Sequence, residues 1–128
     1  MKNLMVLASL LISLQSLALT APKIEEWSCE FKHPSMTSAI QGTFVQITTQ
    51  IGKNQSEALV YPICPACRVQ PRKFAVGANQ VGKTLIFANV NELFSLNIRT
   101  EGVKANNEKS FAAATLGNRR GLCRLVLR

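Results

Sequence analysis

Histidine is nearly missing from this chain of 128 residues: His33 is the only one. It sits between Lys32 and Pro34 and reads as an exposed loop residue, which leaves no imidazole for acid–base chemistry on the later strands. Tyrosine and tryptophan occur once each, and 7 acidic side chains face 15 basic ones. The resulting formal charge of +8 favours anionic partners such as nucleic acid, anionic lipid or acidic protein surfaces, and it says nothing about fold. Long apolar runs are scarce too. The one candidate, Leu4 to Leu14, is eleven residues long, short of the roughly 20 that span a bilayer, so no stable membrane insertion is expected. No repeat or low-complexity linker divides the chain.

What is present begins with that apolar run. Lys2 precedes it and Ser16-Leu17-Ala18 follows it, a secretory signal with cleavage after Ala18, or after Thr20. Residues 1–18 are therefore read as a signal peptide and 19–128 as a single domain with one core. Its charge falls to +7 once Lys2 is lost. Secretion permits disulfides, and four cysteines allow three connectivities. Cys29 near the start of the mature chain and Cys123 near its end read as a bridge from the first strand to the last. Closing so long a loop contributes about 4 to 5 kcal/mol in the chain-entropy model.

The other two cysteines form Cys64-Pro65-Ala66-Cys67, read as a local disulfide or as two thiols. Zinc needs a second pair nearby, and a redox C-x-x-C opens a helix, whereas Pro62 and Pro65 bracket an extended segment. No metal and no cofactor are expected. Asn54-Gln55-Ser56 is an N-glycosylation sequon in a polar loop.

Hydrophobic spacing predicts a strand at Glu25 to Phe31 and then a helix. Ser35 is its N-cap, and Met36, Ile40, Phe44, Ile47 and Ile51 recur at helical spacing until Gly52. Gly42 and the β-branched run through Thr43, Val45, Ile47, Thr48 and Thr49 count against that helix, and Val45, Ile47, Thr49 and Ile51 also alternate as a strand would. Further strands are predicted at Ala58 to Tyr61, Arg72 to Val76, Thr84 to Ala88, Leu93 to Thr100 and Leu122 to Leu127, with Asn89 to Glu92 as a hairpin loop. Alternation puts Phe74, Val76, Phe94, Leu96 and Ile98 on an apolar face. The opposite face would present Tyr61, Lys73, Thr84, Ser95, Asn97 and Arg99.

Trp27-Ser28-Cys29 after a signal, one helix, Tyr61-Pro62, Lys73 to Val76, Lys83 to Phe87, Leu93 to Arg99 and the late Cys123 together resemble the ribonuclease-like secreted effectors of powdery mildew fungi. Those effectors are similar to small guanyl-specific fungal ribonucleases. The resemblance covers nearly the whole mature chain and lies in order and spacing more than in identity. It implies an α+β fold, with one α-helix packed on a twisted antiparallel β-sheet and the terminal strands joined by Cys29 and Cys123. It also places Ile63 where the enzymes carry an imidazole, Lys73 at the general base, Thr84 at the phosphate-binding arginine and Arg99 at the general acid; Tyr61 alone is kept. Lysine and arginine, protonated at neutral pH, serve poorly as base or acid.

A pseudoenzyme is the expectation that follows, with Tyr61, Lys73, Lys83, Thr84 and Arg99 as a cationic binding site for RNA or another ligand. The resemblance implies a monomeric virulence effector delivered into plant cells, acting on host proteins, with a plant immune receptor and RNA as further partners. Two other classes stand beside it: an active secreted ribonuclease, and a small β-sandwich effector of unrelated fold in which residues 43 to 51 form a strand. A cationic membrane-active helix is excluded, since the segment from Met36 to Ile51 holds no Lys or Arg.

Overall fold

A computed structural model describes residues 21–33, 41–53, 55–66, 68 and 70–128. The signal segment, the expected helix start at Ser35 and Met36, Asn54 and Cys67 lie outside them.

Eight strands run in chain order, β1 (Ile24–Lys32), β2 (Gly42–Gln50), β3 (Gln55–Ile63), β4 (Arg72–Val81), β5 (Thr84–Asn89), β6 (Phe94–Arg99), β7 (Ala112–Leu116) and β8 (Arg119–Leu127). Each pairs antiparallel with the next, and β8 returns to pair with β1, closing an up-and-down barrel. The upper mouth carries the β1–β2, β3–β4, β5–β6 and β7–β8 connections; the lower mouth carries the other three and both ends of the barrel.

The expected α+β architecture is overturned, because the described residues contain no helix. Residues 42–50 of the predicted helix form β2, registered with β1 on one side and β3 on the other. The β-branched run prevails because Val45 and Ile47 both point inward and are fully buried, as strand alternation requires. Phe44 produced the misleading helical spacing: it is apolar but outward, packed on Tyr61 with ring centroids 4.9 Å apart. The sheet's apolar face therefore needs no helix, since it covers itself by closing into a barrel. The ribonuclease-like frame implied by the resemblance falls with the helix.

An eight-stranded barrel is just wide enough for side chains to fill. Trp27, Phe31, Val45, Ile47, Phe87, Leu96 and Ile98 fill this one from alternate positions, with Phe74, Leu85 and Val103 packed against them. Charged residues such as Glu26, Glu30, Lys73, Arg99, Arg120 and Arg124 take the outward positions, the reverse of a barrel that faces lipid. No helix among the described residues is long and apolar enough to cross a membrane.

The expected link between terminal strands is present. Cys29 and Cys123 are registered partners across the β1–β8 seam, joined by a disulfide with their Cα atoms 4.0 Å apart. Both are fully buried in the lumen.

Candidate functional site

Strand register decides which of the expected site residues meet. Thr84 and Arg99 are direct partners on the outer face of β5 and β6 near the lower mouth. Lys83 occupies the adjoining β4–β5 turn, where its Nζ lies 2.6 Å from Glu101. Tyr61 and Lys73 sit on the outer face of β3 and β4 toward the upper mouth. There Tyr61 stacks on Phe44, and Lys73 pairs with Glu57 at 3.2 Å. The five residues thus form two groups at opposite ends of the outer wall.

The Thr84–Arg99 group belongs to a larger surface. A depression of about 720 Å³ spans β5 to β8 and is lined by Thr84, Asn97, Arg99, Ala113, Thr115 and Arg120 with the backbone around Ala114 and Gly121. Its floor follows from the sequence of β7: Ala112 and Ala114 face the lumen and Ala113 puts only a methyl group outside, so the longer side chains of β6 and β8 stand up as walls. Thr115 is registered with Arg120, and Ala113 with Leu122, which carries the surface onto β8. Outward alternation along β8 then gives Arg120, Leu122 and Arg124, all exposed. Leu122 retains 54% of its accessible surface. Arg124 lies over the ring of Phe111, 4.9 Å from its centroid, and Phe111 is itself 47% exposed.

Charge on this wall is uncompensated. The ion pairs among the described residues join Arg72 to Glu92, Lys73 to Glu57, Lys83 to Glu101 and Arg128 to Glu26; none uses Arg99, Arg120 or Arg124. Glu30 faces Leu122 from β1 but forms no ion pair with either flanking arginine. Among the described residues no carboxylate, imidazole or thiol lines the depression. Its groups are arginine forks, a hydroxyl pair and an amide, suited to hydrogen-bonding an oxyanion and unsuited to moving a proton.

Sequence reading missed Arg120, Arg124 and Phe111. The alternation of Arg120, Leu122 and Arg124 is a signal in the sequence, but the strand predicted from Leu122 starts after Arg120. The alanines of β7 carry low strand propensity and hid that strand altogether.

Other polar groups lie inside. Arg119 points into the upper mouth, donating from Nη1 to the Thr43 hydroxyl at 2.9 Å and from Nη2 to the Phe31 carbonyl at 3.4 Å. Glu25 points into the lower mouth, where burial pushes its carboxyl above the usual value of 4.5. The indole N–H of Trp27 approaches that carboxyl and offsets part of the rise without reaching hydrogen-bond geometry. His33 is half-buried at the upper mouth, its backbone N–H bonded to the Gln41 carbonyl. Cys64 is disulfide-bonded. No metal-binding group of side chains occurs among the described residues.

No family model, no curated protein and no solved structure matches this chain.

Proposed function

We propose that this chain is a secreted, non-catalytic effector of a fold unrelated to ribonucleases, which binds an acidic protein of its host through the outer wall of β6, β7 and β8. One observation carries the binding surface: among the described residues, Arg99, Arg120 and Arg124 have no carboxylate partner, and they surround an exposed Leu122 and a small-residue depression. Arginine and aromatic side chains around an apolar centre are the composition enriched at protein interfaces. Secretion rests on the N-terminal signal, and the host setting on the resemblance. The all-β barrel favours the version in which the fold is not that of a ribonuclease.

RNA is the second reading, favoured by three arginine forks that fit phosphate oxygens. Capture from host tissue with the wild-type protein, set against the variants Leu122→Asp and Arg120→Glu, separates the two. A partner retained by wild type and by the distant control Lys53→Glu, but lost by both wall variants, supports protein binding. Capture that survives both wall variants overturns it. Salt-sensitive binding of single-stranded RNA that Leu122→Asn leaves intact, with no such protein partner, moves the assignment to nucleic acid.

A further inference from the structure

At the upper mouth, on the β5–β6 connection, two aliphatic side chains stand in solvent. Val90 is 85% and Leu93 94% exposed, the two highest values among the exposed large hydrophobic residues. Both belong to the β5–β6 connection, and Leu93 adopts a φ of 52°, a left-handed conformation that disfavours a residue with a bulky Cβ substituent. Asparagine or glycine would turn the chain there with less strain, so the leucine is not explained by the turn. Strain of this kind, once observed, points toward function.

The connection is held firmly. Leu93 N–H donates to the Val90 carbonyl at 3.1 Å, and Glu92 N–H donates to Asn89 Oδ1 at 3.2 Å. Asn89 Nδ2 donates to the Ala75 carbonyl of β4 at 2.7 Å, and Glu92 pairs with Arg72 at 2.5 Å. These contacts fix the tip against β4 before anything binds, so a partner need not order it.

Charge at this end is one-sided. Lys32 ends β1, Arg68 lies in the β3–β4 connection, and Arg72 and Lys73 open β4, Lys73 reaching down to Glu57 on β3; Arg119 is turned inward to Thr43 and Arg120 belongs to the outer wall. Among the described residues of the upper rim the only carboxylate is Glu92, already engaged by Arg72. Glu30 lies lower on the outer wall, opposite Leu122.

We propose that the upper mouth docks on an anionic lipid surface, with Val90 and Leu93 inserted at the headgroup level and the basic rim lying against the headgroups. The spread of the cations favours a bilayer over a protein cleft. They come from β1, the β3–β4 connection and β4 rather than encircling the tip, so a plane meets them together. Two aliphatic side chains make a weak anchor alone, and the polybasic rim supplies the second attraction that reversible membrane binding requires. Each cation near such a surface strengthens binding by about fivefold.

Vesicle co-sedimentation tests this with the chain as secreted by a eukaryotic expression host. Phosphatidylcholine vesicles containing phosphatidylserine should retain the protein, and pure phosphatidylcholine vesicles should not. Leu93→Asn, which suits a positive φ, should preserve or raise Tm while weakening vesicle binding at least about tenfold. Lys32→Gln with Arg68→Gln should weaken it by about twentyfold at low salt. Leu122→Asp on the outer wall should leave vesicle binding unchanged, which separates this surface from the one assigned to protein recognition. Absence of binding, equal binding to neutral vesicles, or full binding by Leu93→Asn overturns the proposal. Loss of a captured protein partner on Leu93→Asn without vesicle binding would assign the tip to a protein pocket instead.

Discussion

Gly121 lies directly beneath the ring of Phe31. A Cβ placed on Gly121 would stand 2.8 Å from Phe31 Cε1, with Cδ1 and the Glu30 carbonyl oxygen closer still. On the other side of β1 a Cβ on Gly42 would meet the Phe31 carbonyl oxygen at 2.5 Å. The large ring at the top of the lumen therefore fits because β8 lacks a side chain beneath it, while Gly42 lets β2 approach the backbone of β1 closely. Gly121→Ala should cost about 1 to 3 kcal/mol by overpacking. Urea unfolding measures it, and Phe31→Leu in the same chain should reduce the penalty if the ring is its cause.

Cys29 and Cys123 are already opposite one another in the β1–β8 ladder, so their bond chiefly constrains the unfolded chain. With a sequence separation of 94, the Cys29→Ala/Cys123→Ala variant should lose about 4 to 5 kcal/mol in the chain-entropy model. Denaturant midpoints of wild type and variant, compared without reductant, give the difference. Because both residues are fully buried, the bond should also resist dithiothreitol until denaturant opens the seam.

Several strands were legible, though not their closure into a barrel, because their inner positions alternate strictly. Phe94, Leu96 and Ile98 point inward, and Ser95, Asn97 and Arg99 outward, as the pattern alone indicated. The Asn89 to Glu92 connection and the clasp between terminal strands were readable as well. Failure came where local pattern and tertiary role diverge. Phe44 is apolar for the sake of Tyr61 outside, so β2 carried apolar residues on both faces and resembled a helix. β7 carries three alanines, Ala112 and Ala114 buried in the lumen and Ala113 outside, and alanine announces no strand. The candidate wall was only half visible for the same reason. Arg99 lay on a recognised strand, while Arg120 and Arg124 meet it only across the unrecognised one.

Glu25 makes stability depend on pH in a definite direction. Burial raises its folded pKa above 4.5, so the folded state holds that proton more tightly than the unfolded chain does. Its contribution is complete below about 4.5 and declines as pH rises through the folded value. Glu25→Gln removes the ionisation, so Tm of the variant relative to wild type should be higher at pH 7 than at pH 4. Paired thermal melts across that range check it, and a difference that stays constant with pH would contradict the assignment.

Asn106 performs a task that the shortness of β7 creates. β7 begins at Ala112, registered with Cys123, so the lower part of β8 has no strand on that side. Asn106 takes the strand's place, its backbone N–H donating to the Leu125 carbonyl at 2.9 Å. Its side chain accepts from Leu127 N–H at 2.9 Å and donates to the Leu127 carbonyl at 3.1 Å. A φ of 57° at Asn106, tolerated by asparagine, brings both sets of groups to β8. Without them β8 would present an open edge, the feature from which sheets aggregate. Asn106→Gly keeps the backbone conformation and loses only the side-chain bonds, so it should cost about 1 to 2 kcal/mol. Asn106→Ala adds backbone strain and should cost more. Hydrogen exchange at the amide of Leu127 should accelerate in both variants, while the amide of Cys123, inside the paired ladder, should change only in step with global stability.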